Sequence, residues 1–401
     1  MVNKMSFSAE RERKYSNLKE SLNRPQLTEL TDVSIPNGNR IFQLDMSDTI
    51  RTSDLIGVYI PLNHYGPTFL DVYRTKEEAG EIREGDFVVD SSQGNAALAL
   101  TVIGSYLGFQ PHAIVPEGHL PRRMLYLLEE AGAKLIYTER TDYINNFESK
   151  IRETIRKQRT HRGFLNHSMD SGRKNNETTL RALEPIATEI LQQLREYGIE
   201  RPDYFIGVWG NGSSLFGPGR ILKDNGVEVV GWELFSQAVA YELAKPGEYT
   251  ERYGIPITVP MKHPFTELTA IHGVPGSSYR GKGKPIDFPH IRNAITGTQR
   301  IITGKEGTRL IADSRMLKVY RDLVTSVPEL RPRTDEYIQE AEKLPRLDEA
   351  MERFGITQDL GRTSVGNLMV ALKLTEEVEN KVIVTMIYDR LSQKYDTPYP
   401  K

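Results

Sequence analysis

Gly210-Asn211-Gly212-Ser213-Ser214 is the segment of this chain best suited to holding a charged group. It follows the apolar run Tyr204-Phe205-Ile206-Gly207-Val208-Trp209 and opens a stretch of helical spacing that carries Gly217 and Gly219. A strand-to-helix turn presents successive backbone N–H groups at the positive end of the helix, and serine hydroxyls add donors. Glycines let the backbone approach a ligand closely. A tight turn with no ligand needs the same residues, so the local pattern leaves both readings open. The Gly-Lys-Ser/Thr of a Walker loop is absent, and the segment is a poor match to a dinucleotide fingerprint. The histidines at 64, 112, 119, 161, 167, 263, 272 and 290 form neither His-Glu-x-x-His nor His-x-His, which argues against zinc. No Gly-x-Ser-x-Gly elbow supports a serine hydrolase. With no cysteine, disulfides, thiolate metal sites and cysteine nucleophiles are excluded.

The elements around this turn follow from periodicity. Arg40–Asp45, Asp86–Asp90, Pro111–Pro116 and Lys134–Tyr137 read as strands. Thr75–Ile82, Gly94–Leu107 and His119–Ala131 read as helices, the second ended by Gly108. Strand and helix alternating at this spacing argue for a parallel, doubly wound sheet. A polar stretch, 138–174, separates a second set: a helix at 178–197, strands at 204–209 and 228–232 with the glycine-rich turn and a helix between them, a helix at 363–377 and a strand at 381–387. Residues 1–24 read as a mobile arm or peripheral helix. Residues 245–300, rich in Gly, Pro and His, read as a long functional loop region.

Composition narrows the class. The chain has 401 residues, 38% hydrophobic and 26% charged, with a formal net charge of −2. That is ordinary for a globular protein of one large or two medium domains, and it provides no basic field for nucleic acid. No run reaches the roughly 18 apolar residues of a membrane span, and residues 1–20 lack the apolar centre of a signal peptide. The expectation is a cytoplasmic protein with a small-molecule ligand and neither nucleic acid nor membrane as partner.

Several segments, in order, resemble the cysteine synthase and cystathionine β-synthase-like family, the fold-type II pyridoxal phosphate (PLP) enzymes. His64-Tyr65-Gly66-Pro67-Thr68-Phe69-Leu70-Asp71 stands where that family reads N-P-T-G-S-x-K-D-R, and Ser91-Ser92-Gln93-Gly94-Asn95 where it reads T-S-G-N. His112–Glu117, Arg122-Arg123 and Ala131–Leu135 match its next strand, R-R and A-G-A segments. Gly210, Gly212, Gly217, Gly219, Arg220, Leu222 and Lys223 fall on its phosphate loop. Thr363-Ser364 resembles its I-S-S-G-A, and Asp389–Tyr395 its closing D-S-G-x-R-Y. The resemblance implies an α/β protein of two domains, 46–164 and 1–45 plus 165–401, a homodimer, and a ligand in the cleft between domains. It assigns phosphate and cofactor contacts to Asn95, Gly210, Asn211, Gly212, Ser213, Ser214, Thr363 and Ser364. Substrate contacts fall to Ser92, Gln93, Ala96, His272 and Gly273.

The departure lies at the chemistry. The family's lysine carries PLP as a Schiff base, and here that position is Leu70, which has no nitrogen. Gln93 and Ala96 replace Ser and Thr in the carboxylate loop, and Ser92 keeps its hydroxyl. Lys76, the only lysine between Leu62 and Asn95, reads as a solvated surface charge rather than a relocated anchor. Three functions compete. One is a divergent protein, an atypical lyase or transferase, that binds PLP non-covalently or another phosphorylated or amino-acid-like ligand. Another is a pseudoenzyme acting through a partner. The third is an ordinary PLP enzyme with its lysine elsewhere. The catalytic residues are left open.

Overall fold

The computed structural model describes residues 7–92, 94–139, 147–158, 163–167, 174–208, 210, 212–235, 258–259, 284–285, 308–312, 331–355 and 357–394. In chain order the elements are α1 (Ala9–Glu20), β1 (Gln26–Glu29), β2 (Arg40–Asp45), α2 (Thr52–Ile56), α3 (Tyr65–Glu78), β3 (Phe87–Ser91), α4 (Asn95–Tyr106) and β4 (Gln110–Pro116). Then come α5 (Arg122–Glu130), β5 (Lys134–Thr138), α6 (Phe147–Lys157), α7 (Lys174–Leu183), α8 (Pro185–Glu196), β6 (Tyr204–Val208), α9 (Ser213–Asp224) and β7 (Glu228–Leu234). A short antiparallel pair, β8 (Thr258–Val259) and β9 (Lys284–Pro285), precedes β10 (Thr308–Ile311). Last are α10 (Arg331–Glu342), α11 (Leu347–Ala350), a π turn (Met351–Gly355), α12 (Arg362–Leu374), β11 (Val382–Ile387) and α13 (Leu391–Lys394). No helix among the described residues is long and apolar enough to cross a membrane.

The chain forms two compact units. The first comprises 1–26, 46–183 and 388–401. Its sheet has the order β3-β4-β5, with both pairings parallel. Every residue of β3 is buried, as expected of a parallel strand covered on both faces. Helix α4, from Ala96 to Gly104, is buried all round. Its Leu98, Val102 and Ile103 join Phe69, Leu70, Val72 and Tyr73 of α3 in one apolar core.

The second unit comprises 27–45 and 184–387. Its sheet has the order β1-β2-β11-β6-β7-β10, and β11 runs parallel to both β2 and β6, with Val384 opposite Phe42 and Phe205. Trp232 of β7 is fully buried, and its Nε1 donates to Asn367 Oδ1 at 2.7 Å. A Cβ on Gly366 would lie 2.3 Å from that indole, so the contact between helix and strand needs glycine there.

The α/β class and the parallel sheets agree with the sequence reading, and four points differ. Residues 9–20 are an anchored helix, because Arg11 and Tyr15 both bond Glu77 of α3 inside the first unit. Residues 1–26 and 165–183 therefore group with the first unit, as does the C-terminal segment from 388, contrary to the expected boundaries. Helix α3 begins at Tyr65, not Thr75. Pro67 sits in its first turn, where a missing N–H is tolerated, so Gly66-Pro67 opens the helix instead of preventing it. The expected 178–197 helix is two, with Pro185 at the start of the second. The expected loop region 245–300 lies outside the described residues except for β8 and β9.

Candidate functional site

In the second unit, β6 ends at Val208 and α9 starts at Ser213. Gly212 caps it in the left-handed conformation, at φ 86°. Its carbonyl accepts from Leu215 N (3.2 Å) and Phe216 N (2.9 Å), so the ladder begins there and the amides of Ser213 and Ser214 lie ahead of it. A Cβ at Gly212 would stand 2.4 Å from the Phe216 ring. The turn has the form of an anion cradle: a glycine-lined approach, a twelve-residue helix behind it, and two serines at its mouth. Ser364 is fully buried, and with Thr363 it lies in the first turn of α12. Both belong to this unit, as do Gly210 and Gly212. Trp209, Asn211, His272 and Gly273 lie outside the described residues.

The first unit holds the remaining candidates. Leu70 projects from α3 into the apolar core and is 6% exposed. Lys76, six residues on, is on another face of the same helix and differs from the sequence expectation. It is buried, and its ammonium meets Glu81 at 2.8 Å. Ser92 is buried and its Oγ accepts from Gly94 N at 3.0 Å, so that oxygen partly serves the turn itself. Gly94 at φ 141° turns the chain into α4. Asn95 is the first residue of that helix, and Ala96 is buried behind it. Gln93 lies outside the described residues.

Tertiary structure adds groups that no local spacing announces. Segment 388–394 returns to the first unit. Tyr388 packs on His64, ring centroids 5.0 Å apart, and Asp389 Oδ2 lies 3.5 Å from Asn95 Nδ2. Lys394 is fully buried and acts electrostatically on both His64 and Asp48. Burial first, then the charges of Lys394 and His167, pushes the His64 imidazole down to about 3, so it is neutral at physiological pH. Asp48 is pushed the other way, its carboxyl raised chiefly by burial. Beneath α3, Asp90 at the end of β3 accepts from His167 Nδ1 (2.7 Å) and His167 N (3.0 Å). Burial opposes the Asp90 charge, but the His167 contacts and the Ser91 amide outweigh it and hold the carboxyl below its usual range. The ring of His167 packs on Tyr65 and Phe69 of α3. His64 and His167 had seemed merely scattered. Their partners are distant in sequence, 77 residues for Asp90–His167, so composition and spacing carry no signal of them.

The fold is similar to that of known proteins. A family model described as "Pyridoxal-phosphate dependent enzyme" matches residues 70–263. Solved structures of similar fold include a hydrogen sulfide-producing enzyme from Fusobacterium nucleatum (TM-score 0.63, 14% identity, 94% of this chain and 98% of that one). Another is cysteine synthase from Entamoeba histolytica (TM-score 0.59, 18% identity, 96% and 90%). The chain thus shares the α/β fold of these solved enzymes. Curated relatives include the cysteine synthases of Staphylococcus aureus (25% identical over 185 residues, 44% of this chain and 56% of the relative) and Aquifex aeolicus (26% over 166 residues, 41% and 46%). The chain spans about half the length of these curated relatives.

Proposed function

We propose that this is a divergent cysteine synthase-like protein that binds a phosphorylated or amino-acid-like ligand without a lysine–PLP aldimine. The observation that carries the reading is Leu70, buried in the apolar core of α3 where the resemblance expects the cofactor lysine. In the second unit, the left-handed Gly212 at the start of α9 suits a phosphate group such as that of PLP. In the first unit, position 70 offers no amine. PLP, when bound, supplies an electron sink for an amino-acid carbon. The chain's own contribution is the phosphate cradle, Asn95, Ser92 and the buried polar groups around His64. Activity of the lyase or transferase type, a cytoplasmic location and a homodimer accompany this reading as proposals.

The test is purified protein, as isolated, reduced with borohydride and digested for mass spectrometry. We expect no phosphopyridoxyl-lysine, together with saturable binding of inorganic phosphate or PLP that Gly212→Asp abolishes, because a carboxylate then occupies the cradle. An adduct on any lysine overturns the aldimine-free reading. One observation favours that second reading: Lys394 is a fully buried amine in the same unit as α3, so it is the position to inspect first.

A further inference from the structure

The geometry points to a ligand that keeps a free primary ammonium group, accepted by Asn95 Oδ1 at the start of α4 in the first unit. This rests on the amino-acid-like ligand proposed above and specifies how it is held.

Three observations converge on Asn95. Its Nδ2 lies 3.5 Å from Asp389 Oδ2. An ionised carboxylate only accepts, so the amide turns its NH2 toward Asp389 and its oxygen away. That oxygen, Oδ1, is buried and has no partner. The residue before Asp389, Tyr388, packs on His64, whose Nδ1 is likewise buried without a partner. Buried polar atoms almost always have partners, so two of them beside consecutive residues of one segment call for a missing hydrogen-bonding group. An amide oxygen beside a carboxylate suits a cationic donor. A primary ammonium, with three N–H bonds, is the amino-acid group that fits. The nearby cation Lys394 already acts on Asp48 and His64, while Asp389 adjoins Asn95. The N-terminal end of α4, beside Ser92 and Gly94, favours the carboxylate of the same amino acid.

The assignment also accounts for Leu70. Where a lysine aldimine takes up the substrate's nitrogen, the amine needs no acceptor. With leucine at that position the nitrogen keeps its protons and needs one. Asn95 would touch the phenolic oxygen of PLP through its Nδ2, but Asp389 holds that group, so the amide presents an acceptor instead.

The experiment is isothermal titration of the full chain with L-serine and, in parallel, the other standard L-amino acids. The tightest binder is then compared with its N-acetyl and des-amino analogues, and inorganic phosphate is titrated separately. We expect both analogues to bind about 10- to 100-fold more weakly than the amino acid, the range of a hydrogen bond to a charged group. Asn95→Leu should weaken the amino acid by a similar factor and leave phosphate unaffected, and Asn95→Asp should restore binding. Analogues that bind as tightly as the parent, or absence of amino-acid binding while phosphate still binds, overturn the ammonium assignment alone. Loss of both amino-acid and phosphate binding overturns the functional reading as well.

Discussion

Gly212→Ala tests the turn at the heart of the second unit. At φ 86° an alanine must adopt the left-handed region, which costs about 1–2 kcal/mol. Its new methyl would stand 2.4 Å from Phe216 Cε2 and 2.7 Å from Cδ2. That ring is 4% exposed, so it moves only by disturbing its neighbours, at roughly 1–3 kcal/mol for overpacking. Together these give about 2–5 kcal/mol, or a fall in Tm of at least about 4 °C in a unit of this size. Calorimetry of Gly212→Ala, Phe216→Ala and the double variant separates the two causes. In the Phe216→Ala background the alanine at 212 should cost only the backbone strain of about 1–2 kcal/mol, because the ring it strikes is gone. An equal penalty in both backgrounds would refute the steric argument, and no penalty in either would refute the left-handed cap. Phosphate titration on the folded variants then reports whether the cradle depends on the same geometry.

Other outcomes follow from the first unit. The His64 pKa falls from 6.5 to about 3 on folding, so between these values the unfolded chain binds the extra proton and stability drops as pH falls. The loss should reach roughly 2 kcal/mol near pH 5, and His64→Gln should remove that slope in urea titrations; an unchanged slope would show that the ring is already protonated in the fold. Asp90 adds to the same trend in a more acidic range: its lowered carboxyl contributes stability above about pH 4 that is lost as pH drops through its folded value, and Asp90→Asn should flatten this part of the profile. Leu70→Lys should lose several kcal/mol and remain colourless with added PLP, because the amine enters an apolar core; an imine band in the visible spectrum would instead identify the position as a working cofactor anchor. Glu77→Ala should cost about 3–5 kcal/mol by leaving Arg11 charged and buried, and hydrogen exchange should show α1 released; retained protection of Ala9–Glu20 would contradict the anchoring role of this pair.

The apolar run at 87–89, the alternation of strands with helices, and the glycines at 210 and 212 made the parallel α/β class and the tight strand-to-helix turn readable from the chain alone. These are local properties: buried strands need continuous apolar residues, and a left-handed cap needs glycine. That position 70 is a leucine is plain from the chain, and its burial in the apolar core is what the structure adds. Sequence did not reveal where the N-terminal helix belongs, since its attachment rests on buried contacts of Arg11 and Tyr15 with Glu77, 66 and 62 residues away. Nor did it reveal that Lys76 is buried while pairing with the exposed Glu81, because its exposure depends on what packs over the helix. The carboxylate beside Asn95 comes from Asp389, 294 residues along the chain. Only the return of segment 388–394 to the first unit brings them together, and long-range packing of this kind leaves no periodicity in the chain.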